Sequence, residues 1–296
     1  MTANIVDIKK FAIHDGDGIR TTLFLKGCPL KCVWCHNPES ISFAPQLSYI
    51  EKKCIGCGEC VSVCDVGAHA VDEKGHLLDR KKCVACGKCE EACLGEALKL
   101  YGKKMSVDEL VPILLEDKRF YESSGGGITL SGGECLMQPE FCAELLKKMK
   151  ENGVSTAVDT CGFVSKKALD AVMPYTDVFL YDIKAVDEDV HEKCTGQKNG
   201  IILENLRYLD ECGAKIEVRY PYVPGMNDDQ CEKIADLLCS LKNLTKMRVL
   251  PYHSFAGSKY DAVDMENTMP KSEMPTAEKM KEINEYFISR GICVVE

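Results

Sequence analysis

The sequence predicts an α/β protein: a partial barrel of about six strand–helix units, open on one side, with a small cysteine-rich insert. Strand and helix patterns alternate from residue 105 onward, which is typical of a parallel sheet with right-handed crossovers. We count about six units, fewer than the eight of a closed barrel of the TIM type. Closely spaced cysteines in residues 50–101 predict the insert. An open, doubly wound sheet is the alternative to the partial (β/α)6 barrel.

The composition suits one large domain that carries this insert. The chain has 296 residues, of which 45% are hydrophobic, and this is enough for a sizeable core. We assign residues 1–49 to the first part of the barrel, residues 50–101 to the insert and residues 102–296 to the remainder of the barrel.

Charge and hydropathy exclude some functional classes. The net charge of −9 argues against sequence-independent binding of nucleic acid. No run of about 18 apolar residues could cross a membrane, and the start lacks the basic and apolar regions of a signal peptide. We therefore expect a cytoplasmic protein without nucleic acid or membrane partners, and we expect it to be a monomer. The 19 cysteines suit a reducing, low-oxygen compartment, in which clustered cysteines indicate metal sites rather than disulfides.

The first segment of the chain predicts a hairpin-like entry into the sheet. Residues 5–14 read as an extended lead-in. Asp and Gly in residues 15–18 predict a turn. Residues 19–26, rich in Thr, Leu and Phe, predict a strand that leads directly to a cysteine loop.

The cysteine loop has the spacing C-x3-C-x2-C, formed by Cys28, Cys32 and Cys35. Three thiolates so placed can each bind one iron of a [4Fe-4S] cluster, which leaves one iron open to a substrate or cofactor. A zinc knuckle is the alternative, although zinc usually takes four nitrogen or sulfur ligands with closer C-x2-C pairs.

The insert contains an internal cysteine repeat of the form C-x2-C-x2-C-x3-C. It resembles a bacterial two-cluster ferredoxin, in which the fourth cysteine of each run binds the other cluster. Asp65 and Leu94 stand where that family has proline, and two zinc sites are the alternative. The resemblance implies one [4Fe-4S] cluster on Cys54, Cys57, Cys60 and Cys93, and a second on Cys83, Cys86, Cys89 and Cys64.

The remaining chain predicts the other strand–helix units. Apolar periodicity and glycine stops define them. Helices are predicted at residues 107–121, 139–152, 166–173, 202–212, 228–241 and 276–290. Strands are predicted at residues 128–130, 155–159, 177–182, 215–220, 246–250 and 292–295.

Polar residues follow the strands of this predicted sheet. Ligand sites in such folds gather at the carboxyl ends of the strands, so we expect these side chains to share one site with the three cysteines. They are Ser131 to Glu134, Asp159 and Thr160, Asp182 to Lys184, Arg219 and His253.

The C-x3-C-x2-C loop, the Gly-Gly-Glu after the second strand and the partial barrel resemble radical S-adenosylmethionine (SAM) enzymes. Longer motifs cover nearly the whole chain and narrow the resemblance to the glycyl-radical enzyme activating enzymes, of the larger type with a two-cluster insert rather than the shorter pyruvate formate-lyase type. Asp17 stands where many members have proline. The matching segments are residues 13–20, 26–30, 34–39, 129–134, 159–162, 181–184, 219–228 and 250–253.

The resemblance implies a role for each strand-end residue. The open iron would chelate the amino and carboxylate groups of SAM, and Glu134 would accept a hydrogen bond from the amino group. The implied SAM-binding residues are Trp34, Cys35, His36, Gly132, Gly133, Glu134, Asp159, Asp182, Ile183, Lys184, Arg219 and His253. A monovalent cation beside SAM is implied at Asp159, Thr160 and Asp182.

The resemblance also implies the reaction. The reduced cluster held by Cys28, Cys32 and Cys35 passes an electron to SAM, and the resulting 5′-deoxyadenosyl radical takes a hydrogen atom from a glycine of a partner glycyl-radical enzyme. The two further clusters would relay electrons or help to dock the partner, and flavodoxin or ferredoxin would be the electron donor. Partners in this class include dehydratases, lyases and decarboxylases, and the sequence leaves the choice among them open.

Three other functions stay open from the sequence. The first is a radical SAM enzyme that acts directly on a small molecule or tRNA. The second is an electron-transfer ferredoxin with an extra domain, which leaves the three-cysteine loop and the Gly-Gly-Glu unexplained. The third is a zinc-binding interaction protein.

Overall fold

The computed structural model describes residues 1–73 and 75–295. Its strands are β1 Thr2–Ala12, β2 Arg20–Leu25, β3 Gln46–Tyr49, β4 His69–Asp72, β5 Gly75–Leu78, β6 Leu98–Tyr101, β7 Lys103–Ser106, β8 Gly127–Gly132, β9 Ser155–Thr160, β10 Val178–Asp182, β11 Ile216–Tyr222 and β12 Leu244–Pro251. Its α-helices are α1 Glu59–Ser62, α2 Lys88–Glu91, α3 Val107–Leu115, α4 Lys118–Ser124, α5 Pro139–Glu151, α6 Lys166–Val172, α7 Glu188–Thr195, α8 Gly200–Glu211, α9 Cys231–Cys239, α10 Gly257–Ala262 and α11 Ala277–Ser289.

One mostly parallel sheet forms the centre of the fold, as the sequence predicts. Its strand order is β12–β11–β10–β9–β8–β2–β1–β7. The neighbouring strands β2, β8, β9, β10, β11 and β12 are all parallel. Strand β1 pairs antiparallel with both β2 and β7. The carboxyl ends of the parallel strands therefore meet at one edge, where the cysteine loop leaves β2.

Several helices cover this sheet with an apolar face, and those of α3, α5, α6, α8, α9 and α11 belong to the main core. On α5 the buried side chains include Phe141, Leu145, Leu146 and Met149, the face that the sequence predicts. Proline at the first position of α5 suits a helix start because that backbone nitrogen needs no intrahelical partner. Among the described residues, no helix is long and apolar enough to span a membrane.

Several predicted elements differ from the structure. The lead-in is a full strand, β1, and the helix predicted at 107–121 is two helices, α3 and α4. Between these helices, Asp117 is buried and accepts a hydrogen bond from Thr21 Oγ1 at 3.1 Å, which ties the break to β2. The strand predicted at 292–295 is reduced to one bridge between Val294 and Met247. The short elements β7, α7 and α10 lack a clear sequence pattern and were not predicted.

The β1–β2 loop, residues 13–19, is in contact with distant strands of the sheet. Thr129 Oγ1 donates a hydrogen bond to the backbone oxygen of Asp15 at 2.6 Å. Toward the β12 edge of the sheet, Arg219 Nη2 lies 3.6 Å from Asp15 Oδ1, and Lys246 forms an ion pair with Asp17. One short loop reaches β8, β11 and β12, so the sheet must curve around it.

A buried charge cluster lies beside this loop. Glu217 is 2% exposed, and its carboxylate oxygens lie 3.4 Å from Lys246 Nζ and 3.7 Å from Arg248 Nε. Because both basic side chains are themselves mostly buried, removal of the acid takes a buried charge partner from each of them.

We therefore expect Glu217→Ala to lower the free energy of unfolding by about 3 kcal/mol, measured by urea denaturation under anaerobic conditions. Glu232→Ala on the exposed face of α9 is the control, with an expected change within about 0.5 kcal/mol. Equal stability of the two variants would contradict a structural role for the cluster.

A candidate cofactor site at the strand ends

The cysteine loop is held in place by backbone contacts outside its thiols. Lys31 N and Val33 N donate to the carbonyl oxygens of Thr195 and Cys194 at 2.8 and 2.9 Å, at the end of α7. Tyr260 donates from its hydroxyl to the carbonyl oxygen of Cys35 at 2.9 Å. The loop conformation is therefore set by α7 and α10, which leaves the thiols available for a ligand.

The three thiols face a cavity of about 200 Å³ at the carboxyl ends of the strands. The structure brings the three predicted cluster ligands, and most of the residues predicted to bind SAM or a cation, to its wall. Those that line it are Cys28, Cys32, Cys35, Trp34, His36, Gly132, Gly133, Asp159, Thr160, Asp182 and Lys184.

The donor set suits a multinuclear cluster rather than a single metal ion. Burial raises the pKa of Cys28 and Cys32, and it raises the pKa of Cys35 to about 12. A bound iron cluster would favour the thiolate forms of all three cysteines. Within the described residues they do not form a ligand group tight enough for one ion, which fits a four-iron cluster better than a tetrahedral zinc.

Gly132 and Gly133 are required by the approach of β8 to the cysteine loop. A Cβ on Gly132 would lie 2.2 Å from the oxygen of Leu25, and a Cβ on Gly133 would lie 2.4 Å from the oxygen of Gly27. Gly133 N also donates to Leu25 O at 2.9 Å. The absence of side chains lets the two backbones join beside the cavity.

Glu134 is buried beneath the site and is not among the residues that line the cavity. Its Oε2 accepts hydrogen bonds from Thr160 Oγ1 at 2.9 Å and from Cys161 N at 2.8 Å, and its Oε1 accepts one from Leu136 N at 3.0 Å. Burial raises the pKa of Glu134, and these donors counteract that rise. The carboxylate thus joins the ends of β8 and β9.

The acids of the site are paired with buried bases. Asp159 Oδ1 lies 3.1 Å from Arg219 Nη1, and its Oδ2 accepts from Ser131 Oγ at 2.6 Å. Burial raises the pKa of Asp159 to about 6, although Arg219 opposes the rise. Lys184 Nζ lies 2.7 Å from Asp182 Oδ2. Burial lowers the pKa of Lys184, but the neighbouring Asp182 carboxylate opposes this and the net shift is upward, so the ammonium form persists.

Besides Glu134, three predicted SAM-site residues do not line the cavity. His253 stacks on His36 with ring centroids 4.1 Å apart, and its Nδ1 is buried without a hydrogen-bond partner among the described residues. Arg219 contacts the cavity through Asp159. Ile183 is buried and belongs to the main apolar core.

Sequence reasoning missed other residues of the site. Cys161 and Tyr252 line the cavity, and their position after strands was the available signal. Asn227 is fully buried and donates from Nδ2 to the carbonyl oxygens of Lys184 and Pro221, both at 2.7 Å. No sequence pattern pointed to that bridge between β10 and β11.

Residues 50–101, the predicted insert, border two further cavities lined by cysteines. Each includes cysteines from both halves of the repeat. One is bordered by Cys54, Cys57, Cys60 and Cys93. The other is bordered by Cys64, Cys83, Cys86 and Cys89.

These features define the class of protein. The family model described as the radical SAM superfamily matches residues 22–238, and the chain belongs to this superfamily. SuiB of Streptococcus suis bound to its precursor peptide SuiA has a TM-score of 0.55 at 13% identity, over 91% of this chain and 46% of that chain, so this likeness concerns the fold alone.

Curated relatives narrow the class further. The chain is 42% identical, over 97% of its length and 96% of the relative, to the trans-4-hydroxy-L-proline dehydratase activating enzyme of Clostridioides difficile. It is 39% identical, over 89% of its length and 88% of the relative, to the choline trimethylamine-lyase activating enzyme of Oleidesulfovibrio alaskensis. Within the superfamily, the chain belongs to the glycyl-radical enzyme activating enzymes.

We expect Gly133→Ala to lower the free energy of unfolding by about 1–3 kcal/mol, because the added methyl group must separate β8 from the cysteine loop. Gly200→Ala is the control, because a Cβ there meets open space. Urea denaturation of both variants measures the difference. A Gly133→Ala variant as stable as the control would contradict the close approach.

Proposed function

We propose that this protein generates a glycyl radical on a partner enzyme, with a [4Fe-4S] cluster on Cys28, Cys32 and Cys35 and with SAM in the adjoining cavity. The observation that carries the proposal is the convergence of three half-buried cysteines with strand-end acids and a buried lysine on one cavity. Relatives that match nearly the whole chain are activating enzymes, which supports the same conclusion.

When bound, the cluster and SAM together supply a one-electron reduction that ends in removal of a hydrogen atom from a glycine of the partner. The chain positions these groups. The Lys184 ammonium suits the carboxylate of SAM, and Asp182 beside it can accept hydrogen bonds from the ribose hydroxyls. Trp34 and His36 offer apolar and aromatic surface to the adenine.

Other residues act on the site from behind. Glu134 holds the ends of β8 and β9 together, and Arg219 fixes the carboxylate of Asp159, so both are positioning residues in this proposal. Asp159, Thr160 and Asp182 line the cavity together, which supports a monovalent cation beside the bound SAM because oxygen ligands suit such an ion.

We extend the proposal to the whole architecture. The parallel strands and the loop inside their curve support a partial (β/α)6 barrel, and the two cysteine-lined cavities support a ferredoxin-like insert with two [4Fe-4S] clusters. In this arrangement a flavodoxin or ferredoxin supplies electrons to a monomeric, cytoplasmic enzyme.

The iron content tests the three-cluster proposal. Anaerobically reconstituted protein should contain about 12 irons per chain, and a variant with alanine at Cys28, Cys32 and Cys35 should contain about 8. Metal analysis by mass spectrometry measures both. Stoichiometric zinc with little iron would contradict the proposal.

Radical formation tests the activity. Reduced protein, SAM and a panel of glycyl-radical enzymes are mixed anaerobically, and the EPR spectrum is recorded. The panel includes the dehydratases and lyases whose activating enzymes resemble this chain. We expect a glycyl doublet on at least one of them, and no doublet with the triple alanine variant.

Cleavage of SAM to 5′-deoxyadenosine without a glycyl doublet on any member of the panel would point instead to a small-molecule substrate. Matched samples without SAM or without reductant show whether the signal needs both components.

A further inference from the structure

Two buried histidines on the β4–β5 hairpin lie between the two cavities of the insert. His76 borders the cavity of Cys54, Cys57, Cys60 and Cys93, whereas His69 borders the other cavity. His69 Nδ1 and His76 Nε2 are 2.8 Å apart, the distance of a hydrogen bond. The pair is therefore a direct link between the two cavities.

The hairpin fixes both rings. His69 pairs with Leu78 and His76 with Val71 in the antiparallel register, so the histidines are diagonal neighbours on one face. The ring of Tyr49 packs on His76 with centroids 4.4 Å apart. His69 is 6% exposed and His76 is 9% exposed, so solvent has little access to either ring.

The second nitrogen of His76 is Nδ1, and it has no hydrogen-bond partner within residues 1–73 and 75–295. Among the described residues, His76 Nδ1 is buried without a hydrogen bond, although a buried polar nitrogen is normally satisfied. A sulfur of a cluster in the adjoining cavity is an acceptor for an N–H at this position. A bare lone pair there would instead face negatively charged sulfurs, which is unfavourable.

Building on the two-cluster insert of the proposed function, we infer that His76 donates a hydrogen bond from Nδ1 to a sulfur of the cluster on Cys54, Cys57, Cys60 and Cys93. In this arrangement His69 donates from Nδ1–H to His76 Nε2, which leaves the proton of His76 on Nδ1. Hydrogen bonds to cluster sulfurs stabilise the reduced form and raise the reduction potential. The histidine pair thus makes the two clusters of a nearly symmetric repeat unequal.

The test is an EPR-monitored redox titration of the full chain with alanine at Cys28, Cys32 and Cys35, so that only the insert clusters contribute. We expect His76→Phe to shift one of the two reduction steps to lower potential. At the original midpoint, the ratio of reduced to oxidised cluster should fall about tenfold, equivalent to about 59 mV for a one-electron couple.

Two matched variants separate the hydrogen bond from the packing. His76→Asn keeps an N–H donor and should restore most of the potential. Leu77→Ala removes an exposed side chain from the same hairpin and should leave both steps unchanged. If both steps are unchanged in His76→Phe with full iron content, the inference is wrong.

A second measurement does not depend on these variants. Pulsed EPR of the reduced protein labelled with 15N-histidine should show a nitrogen coupling to one insert cluster, and its absence overturns the inference. If the variant with alanine at Cys28, Cys32 and Cys35 contains far fewer than about 8 irons, the two-cluster insert itself is refuted.

One competing occupant is a single metal ion. The ligand atoms of Cys60, His69 and His76 lie within 4.8 Å of one another, so these residues could hold zinc. Stoichiometric zinc that disappears in His76→Phe would overturn the hydrogen-bond assignment.

Discussion

The junction between the end of β2 and the end of β8 is the constraint on which the site depends. Gly133 N and Glu134 N donate to the carbonyl oxygens of Leu25 and Gly27 at 2.9 and 2.8 Å. The Glu134 carboxylate then extends this junction to Thr160 and Cys161 at the end of β9. Three strand ends are thereby fixed relative to one another directly behind the thiols, and this holds the cavity wall in place before any ligand binds.

The inside of the sheet is unusual because it buries several charges. Such charges are stable only when each has a partner, and the structure supplies these partners strand by strand. Arg219 lies between Asp159 and Asp15, and Lys184 lies beside Asp182. Because paired polar side chains share the cavity wall with apolar ones such as Leu30 and Val223, the site suits a ligand that has both charged and apolar parts.

Sequence patterns predicted the parallel sheet and the residues at its strand ends because hydrophobic periodicity and strand-end location are local signals. They did not reveal that Glu134 turns inward, because the same Gly-Gly-Glu fits an outward or an inward carboxylate. They also did not reveal the His69–His76 contact, which depends on the hairpin register. The break between α3 and α4 depends on Asp117 contacting Thr21 of β2, a tertiary interaction without a local pattern.

Trp34 is the single tryptophan of the chain and stands in the wall of the cavity. It is 6% exposed and packs in a small cluster with Val223 and Tyr252. The tryptophan fluorescence of the protein therefore comes from a single side chain beside the three thiols. A ligand that absorbs at the emission wavelength of Trp34, or a base that stacks on its indole ring, would change the fluorescence intensity. Trp34 therefore reports on whether the cavity is occupied.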